Sequence, residues 1–365
     1  MQMYINRIHS KNANEMTMGM TSRDKVYRIM ASIVALCFAA GGYSQDFAKG
    51  ADISWVTEME SRGAKFYDRD DKEADCFDAM KSFGLNAIRL RVWVDPSRHG
   101  GWCDKNDVLQ KALRAKKAGM DVMIDFHYSD WWADPGKQNI PAAWKGYDYK
   151  SMKKAVAEHT AEVLTLLKKN GVNPKWVQVG NETSNGMLWD MGRATTNPEQ
   201  YAGFVRAGYD AVKKVFKKAI VIVHLDNGFD PKLYDWNLGL LIQHGAKFDM
   251  IGMSLYPYWA MDAKKEPSAD KTISDCMNNL RRVAEKFDRD VMIVETGFLV
   301  DESNPSVMEE GREQLARIIR EARTETNGRC RGVIYWEPEC KPRQYKLGAY
   351  TNDGHPTAIM YGFEE

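Results

Sequence analysis

The sequence predicts an α/β fold, a single-domain (β/α)8 TIM barrel. Beyond residue 48, short β-branched runs alternate with amphipathic stretches of helical period. Strict alternation of strand and helix requires right-handed crossovers and a parallel sheet, and eight such strands close into a barrel. No linker, internal repeat or low-complexity segment interrupts this pattern, so we predict that residues 46–365 form one domain.

Eight runs have the length and composition of buried strands. In chain order they are Ala51–Trp55, Asn86–Val94, Asp121–His127, Lys175–Glu182, Ala219–Asn227, Phe248–Tyr256, Asp290–Gly297 and Arg331–Glu337. Helices are predicted between them, for example over Lys150–Asn170 and Glu309–Glu325, where apolar residues recur on one face. Gly84, Gly119 and Gly171 each follow a helical stretch, where a left-handed C-terminal cap favours glycine.

An open, doubly wound sheet is the alternative fold. A doubly wound sheet often has a GxGxxG turn after its first strand, and no such turn follows Ala51–Trp55. It also gathers polar residues at one switch point, whereas here they occur at the ends of nearly every predicted strand. Both differences favour the barrel.

The charge balance argues against a polyanionic partner. The chain has 51 basic and 50 acidic side chains with no long run of one sign, so it offers no stripe of charge for nucleic acid or an anionic membrane. A neutral ligand is expected. The 11 tryptophans suit stacking on sugar rings, although a packed core also uses such residues.

Residues 1–45 are predicted to comprise an export signal and the residues that precede it. Lys25 and Arg28 come before an apolar stretch, Ile29–Ala40, which leads into small and polar residues. This stretch is too short for a stable membrane span, which needs roughly 20 residues. The mature protein is therefore expected outside the cytoplasm: extracellular, periplasmic or at the cell surface.

Translation beginning at Met18 or Met20 remains an alternative, because residues 1–19 would make a long polar leader. Lipid attachment at Cys37 is also open but disfavoured, since a bulky Leu36 precedes it. The other cysteines are odd in number and lack zinc-site spacing, so we expect buried thiols or at most one disulfide. They are Cys76, Cys103, Cys276, Cys330 and Cys340.

The candidate chemistry lies at the C-terminal ends of the strands, where barrel enzymes place their active sites. The fourth strand ends in Asn181 and Glu182, and the seventh reaches Glu295. These strands lie across the barrel from each other, and a pair of carboxyls is what glycosidic bond cleavage requires. Carboxyls about 5 to 5.5 Å apart would retain the anomeric configuration, and about 6.5 to 9.5 Å would invert it.

Neighbouring residues suggest how the two glutamates would differ. We expect Arg89 and His127 to keep Glu295 ionised by lowering its pKa, and Glu182 to have a raised pKa so that it remains an acid. The amide of Asn181 would hold a sugar hydroxyl. Arg91 shares a strand face with Arg89, because side chains repeat every two residues, so either arginine could point at the site.

Structural roles compete with these assignments. A single glutamate at a strand end is often only an ion-pair partner, and Glu337 is a third one, for which we favour a structural or subsite role. Trp132, Trp259 and Trp336 fit either a core or a sugar-stacking surface. His127 has no accompanying HxH or HExxH pattern, so we predict no metal and no cofactor.

The chain resembles glycoside hydrolase family 53, the endo-β-1,4-galactanases, members of a clan of retaining barrel hydrolases. The resemblance extends over most of the chain and is most specific at Asp125–Gln138. Further matching segments are Gly50–Trp55, Ile88–Val94, Val179–Glu182, Gly186–Trp189, His224–Gly228, Tyr256–Tyr258, Val294–Thr296 and Tyr335–Pro338.

The resemblance implies that Glu182 is the acid/base and Glu295 the nucleophile of a retaining endo-acting catalytic domain. It also implies a set of substrate-binding residues, which comprises Asp52, Arg89, His127, Trp132, Asn181, Asp226, Asn227, Tyr256 and Trp336. Thr183 departs from the isoleucine common in the family. Some members bind calcium near the C-terminus, but Glu339–Glu365 has few acidic candidates, so we predict no calcium.

The implied partner is the β-1,4-galactan of pectic (arabino)galactan side chains, and we expect a monomer that binds no nucleic acid. Two alternatives remain. Another retaining clan member, such as a mannanase or xylanase, would keep both glutamates and differ elsewhere. A glycan-binding protein without catalysis would be expected to lack one glutamate, and both Glu182 and Glu295 are present.

Overall fold

Eight parallel strands form a closed barrel in the computed structural model, which describes residues 47–365. The barrel strands are β1 (Ala48–Asp52), β4 (Ala87–Val92), β5 (Asp121–Phe126), β6 (Trp176–Val179), β7 (Ile220–Leu225), β8 (Met250–Leu255), β9 (Asp290–Thr296) and β10 (Cys330–Trp336). A short antiparallel hairpin, β2 (Phe66–Tyr67) and β3 (Glu73–Ala74), lies between the first two of them. The predicted fold class is confirmed.

Helices connect successive barrel strands. They are α1 (Val56–Ser61), α2 (Cys76–Ser82), α3 (Lys105–Lys117), α4 (Tyr149–Lys169), α5 (Pro198–Val215), α6 (Pro231–Gln243), α7 (Pro257–Asp262), α8 (Ala269–Phe287) and α9 (Pro305–Thr324). Three 3-10 helices cover Ser97–His99, Ala142–Trp144 and Ala358–Glu364. None of the helices in residues 47–365 is long and apolar enough to cross a membrane.

Local sequence determines where several of these helices begin. Asp104 accepts hydrogen bonds from two backbone N–H groups at the start of α3, and Asp148, Asp230 and Ser268 cap α4, α6 and α8 in the same way. Such caps satisfy N–H groups that have no partner inside the helix, and each contributes about 1 kcal/mol. The two helices predicted from periodicity agree with α4 and α9 to within a few residues.

The barrel closes where β1 pairs with both β10 and β4, since Ala51 lies opposite Tyr335 on one side and Ile88 on the other. Each strand contributes at least one buried apolar side chain to a cluster in the barrel interior, including Trp176 and Met250. A second, larger cluster joins the outward faces of the strands to the helices. Apolar packing on both faces explains why the strands appear in the sequence as nearly continuous hydrophobic runs.

Most predicted strands extend past the observed ends, and the first is displaced. β1 covers Ala48–Asp52 instead of Ala51–Trp55, because the Asp52 carboxylate accepts the backbone N–H of Ser54 and turns the chain toward α1. β6 ends at Val179 because Gly180 has a φ of +86°, so Asn181 and Glu182 follow the strand.

The five cysteines within residues 47–365 are free and buried, in agreement with the expectation of buried thiols. The predicted export signal, with Cys37 and the alternative start sites, lies outside the described residues.

Candidate active site

A cavity of about 420 Å³ opens at the C-terminal ends of the barrel strands, where the sequence predicts the site. Eight of the predicted site residues line it: Trp132, Asn181, Glu182, Asp226, Asn227, Tyr256, Glu295 and Trp336. The remaining three, Asp52, Arg89 and His127, are almost fully buried and are not among the lining residues. These three residues contact the lining residues directly or through one intermediate residue. They therefore position the lining residues and do not form the cavity surface themselves.

Glu182 occupies a strained turn directly after β6. Its φ is +43°, in the left-handed region that non-glycine residues rarely adopt. Gly180, with a φ of +86°, begins this turn, and a side chain there would place its Cβ 2.5 Å from Thr183 Cγ2. The backbone N–H of Glu182 donates to Nδ1 of His224 at 3.3 Å, which anchors the turn to β7. Strain of this kind persists where surrounding contacts hold a functional side chain in place.

The carboxyl of Glu182 accepts a hydrogen bond from the Ser254 hydroxyl at 2.7 Å. Burial raises its pKa well above the usual range, and the negative charges of Glu295 and Asp226 raise it further, while the bond from Ser254 has a smaller opposite effect. These surroundings favour the protonated form of Glu182. The raised pKa expected for Glu182 is therefore present.

Glu295 faces the cavity because of an irregularity in β9. Met253 of β8 pairs with Ile293, but the next residue, Ser254, pairs with Glu295, so Val294 is an extra residue in the ladder. Met292 and Val294 both contribute to the barrel interior, and regular alternation would then direct Glu295 outward. A bulge reverses the alternation and redirects the side chain that follows it.

The Glu295 carboxylate has two direct partners. Arg89 Nη2 lies 2.9 Å from one oxygen, and the Tyr256 hydroxyl donates to the other at 3.0 Å. Burial raises the pKa of Glu295 to about 7, and Arg89 offsets only part of this effect because Asp125 and Asp52 are also close. The expectation of a lowered pKa for Glu295 is wrong, since desolvation outweighs the guanidinium. Glu295 nevertheless has the Arg89 guanidinium as a direct partner, which favours its ionised form, whereas Glu182 lies beside the carboxyls of Glu295 and Asp226, which favour its protonated form.

Arg89 is the centre of a buried polar network beneath the cavity. Its guanidinium donates to Asp52 Oδ2 at 2.8 Å, to Asp125 Oδ2 at 2.9 Å and to Asn181 Oδ1 at 2.9 Å. His127 does not bond to Glu295 but contacts Asp125 at 3.0 Å through Nε2. His127 is therefore linked to Glu295 through Asp125 and Arg89, which differs from the direct contact expected from the sequence.

Arg91, the alternative to Arg89, faces a different group. It pairs with Glu337, and its guanidinium lies 4.2 Å from the ring centroid of Trp132 and 5.1 Å from that of Trp55. Glu337 also accepts the backbone N–H of Trp55 at 3.2 Å. The Arg91–Glu337 pair thus supports the tryptophans from below, and Glu337 has the structural role that was favoured.

Three tryptophans form one wall of the cavity. Trp55, Trp132 and Trp336 line it and pack edge to face or tilted, with ring centroids 5.3 to 5.8 Å apart. Each is only partly buried, which leaves ring surface available to a ligand. Trp259 also lines the cavity and is 36% exposed. Aromatic faces of this kind suit the apolar faces of sugars.

Sequence reasoning did not select several residues that shape the site. Ser254 lies on β8, two residues before Tyr256, which directly follows the strand, so the alternation of side chains could have indicated it. His224 lies within a segment that carries the family resemblance, but its residue type and position in the sequence indicate no particular role. Tyr345 lines the cavity from the segment after β10, where no periodic pattern indicated it.

Within residues 47–365, one group of possible metal ligands consists of Glu337, Glu339 and Cys340, whose ligand atoms lie within 4.8 Å of one another. All three are fully buried, and Glu337 is already paired with Arg91. The positive guanidinium beside this group opposes a cation there.

Comparison with known proteins agrees with this geometry. The family model described as Glycosyl hydrolase family 53 matches residues 48–361. The chain belongs to glycosyl hydrolase family 53. The endo-β-1,4-galactanase of Bacillus subtilis is 30% identical over 323 residues, which cover 82% of this chain and 72% of that protein. This confirms the predicted resemblance and places the chain among the glycosidases.

Two further proteins have similar sequence identity to this chain. A probable arabinogalactan endo-β-1,4-galactanase A of Neosartorya fischeri is 31% identical over 331 residues, covering 85% of this chain and 88% of that one. The catalytic domain of a family 53 protein from Ignisphaera aggregans superposes with a TM-score of 0.78 at 29% identity, covering 88% of this chain and 97% of that chain.

Proposed function

We propose that this family 53 glycosidase is an endo-acting, retaining β-1,4-galactanase in which Glu182 is the acid/base and Glu295 the nucleophile. The observation that carries the proposal is that both carboxyls line one cavity with contrasting partners. Glu295 has a cation and a phenol as hydrogen-bond donors, whereas the donor to Glu182 among residues 47–365 is the neutral hydroxyl of Ser254. Such an arrangement favours ionised Glu295 beside protonated Glu182.

In the first step, a carboxylate oxygen of Glu295 attacks the anomeric carbon, and the glycosidic C–O bond breaks with its electron pair going to the leaving oxygen. Glu182 transfers its proton to that oxygen, which releases the leaving chain as an alcohol. In the second step, Glu182 removes a proton from water as the water oxygen attacks the anomeric carbon. Glu295 departs as a carboxylate, and two inversions retain the configuration.

Galactan is proposed as the substrate because the Bacillus and Neosartorya relatives bear that activity in their names. The three tryptophans and the neutral charge balance suit an uncharged polysaccharide. We place the natural substrate in the (arabino)galactan side chains of pectin. An intact polysaccharide is degraded outside the cytoplasm, because it is too large to be taken up whole. This agrees with the export signal proposed for residues 1–45.

The test is reducing-sugar release and product size from unbranched β-1,4-galactan, beside mannan, xylan and cellulose. We expect short oligosaccharides from galactan alone and loss of activity in Glu182→Gln and Glu295→Gln. Early NMR spectra of the products should show the β-anomer first, since retention precedes mutarotation. Cleavage of mannan or xylan instead of galactan would show that the proposed substrate is wrong. Appearance of the α-anomer first would show that the enzyme inverts the configuration. Binding without cleavage would indicate a glycan-binding protein.

A further inference from the structure

His224, Ser254 and Glu182 form a continuous chain of hydrogen bonds at the wall of the cavity. Nε2 of His224 lies 2.8 Å from the Ser254 hydroxyl, which in turn lies 2.7 Å from Oε1 of Glu182. His224 and Ser254 are 0% and 2% exposed, so no solvent competes for these groups. The direction in which protons point along this chain decides which oxygen of Glu182 carries the acid proton.

The surroundings of His224 determine its tautomer. The backbone N–H of Glu182 points at Nδ1 from 3.3 Å, and this hydrogen cannot be moved by rotating a side chain. The amide nitrogen of Gln178 also lies 3.0 Å from Nδ1. Asn181 Oδ1 is at 3.0 Å as well, but it already accepts from Arg89 at 2.9 Å. Nδ1 is therefore an acceptor, and the ring proton resides on Nε2.

The imidazole of His224 is expected to be neutral in these surroundings. Its burial lowers its pKa well below the usual range, and the positive charge of Arg89 acts in the same direction. Asp125 acts in the opposite direction, and His127 is the other titratable group near the ring. A neutral ring with its proton on Nε2 donates to Ser254 Oγ, so the serine hydrogen has to point away from His224, toward Glu182.

We infer that His224 and Ser254 are positioning residues that direct the acid proton of Glu182 to Oε2. The serine hydroxyl donates to Oε1, and a carbonyl oxygen is a better acceptor than the O–H oxygen of a carboxylic acid, so this hydrogen bond favours the proton on Oε2. Oε2 remains the oxygen that can carry the proton to a leaving group in the cavity. This inference rests on the proposed role of Glu182, and it adds that the proton is transferred to the leaving group from Oε2.

The first test measures the tautomer directly. Long-range ¹⁵N–¹H correlation spectra of uniformly labelled protein distinguish Nε2–H from Nδ1–H rings, and the His224→Gln variant assigns the signal among the 7 histidines. We expect a neutral Nε2–H ring that does not titrate between about pH 5 and 8. An Nδ1–H ring, or an imidazolium in this range, would overturn the inference whatever the activity of the enzyme.

The second test compares two substrates by kcat/KM, which reports on the glycosylation step for both. For Ser254→Ala we expect a loss of about tenfold or more on galactan, since general acid catalysis typically contributes 10²- to 10⁴-fold. On a 2,4-dinitrophenyl β-galactobioside, whose leaving group needs little protonation, we expect less than about threefold loss. Ser254→Thr keeps the hydroxyl and should restore most of the galactan activity.

The pH profile separates positioning from a merely structural role. The charges facing Glu182 are those of Glu295, Asp226 and Asp134, and these are unchanged in Ser254→Ala. Loss of the serine donor should move the basic limb of kcat/KM to higher pH. Equal losses on both substrates with an unmoved limb would refute the inference, while a wild-type enzyme inactive on galactan would refute the proposed function instead. If Ser254→Thr does not fold, the alanine variant and the spectra still decide.

Discussion

Arg89 bridges the two candidate catalytic segments, because its Nη2 lies 2.9 Å from the Glu295 carboxylate and 2.9 Å from Oδ1 of Asn181. Asn181 directly precedes Glu182, so one buried guanidinium links the proposed nucleophile of β9 to the turn that carries the proposed acid. The same group is neutralised by Asp52 and Asp125. We therefore expect its removal to affect both catalysis and folding.

Replacing Arg89 tests this bridge. We expect Arg89→Lys to lower kcat/KM on galactan by at least 100-fold, because one ammonium cannot donate to Glu295, Asp52 and Asp125 in the guanidinium geometry. Arg89→Met should also cost about 3 to 5 kcal/mol of unfolding free energy, since it leaves buried carboxylates unpaired. Urea unfolding measures this cost. Near-normal activity in the lysine variant would exclude the bridging role.

Tyr256 should set the acidic limb of the pH profile. Its hydroxyl donates to Glu295, which partly offsets the burial that raises the pKa of Glu295 to about 7. The wild-type kcat/KM should accordingly rise as pH increases through about 7. In Tyr256→Phe the pKa of Glu295 should rise further and the acidic limb should move to higher pH. An unshifted limb in this variant would contradict the contact.

Gly180 should tolerate no side chain. Gly180→Ala combines a φ of +86° with a contact of 2.5 Å to Thr183 Cγ2. Gly146→Ala is the matched control, with a φ of +81° and nothing within 4 Å of the added Cβ. The control should lose about 1 kcal/mol of stability and keep its activity, whereas Gly180→Ala should lose more and lower kcat by displacing Glu182. Equal behaviour of the two variants would refute this account.

Glu339 should destabilise the protein as pH rises. Burial, the charge of Glu337 and a hydrogen bond to the Glu337 carboxyl, which requires the proton of Glu339, raise its pKa well above the usual range. A raised folded pKa favours folding below the unfolded value of about 4.3, and this contribution is lost as pH rises toward the folded pKa. Glu339→Gln should therefore raise Tm at pH 7 to 8 and flatten its pH dependence.

The exposed Glu325→Gln is the control for this substitution, since it changes the net charge equally. It should leave the pH dependence of Tm as in the wild type. Parallel curves of Tm against pH for the wild type, Glu339→Gln and Glu325→Gln would show that the buried Glu339 does not destabilise the protein as pH rises.

Local pattern predicted the strands well because each is buried on both faces, so its apolar run needs no knowledge of its neighbours. Strand ends were less accurate. The Asp52–Ser54 turn and the φ of Gly180 terminate β1 and β6 earlier than hydrophobicity suggests. The upward shift of the Glu182 pKa was expected from its role as an acid. The upward shift of the Glu295 pKa was not expected, because it comes from the extent of burial, which is a property of the packed structure.

The sequence by itself determined the barrel, the family and the two glutamates. Alternation of strands and helices allows few topologies, and parallel strands bring their C-terminal residues to one rim. Only the tertiary structure decided that Arg89 and not Arg91 contacts Glu295, and that an extra residue at Val294 turns Glu295 inward. It also decided the pairing of His224 with Ser254, since such contacts depend on register and burial between strands far apart in the chain.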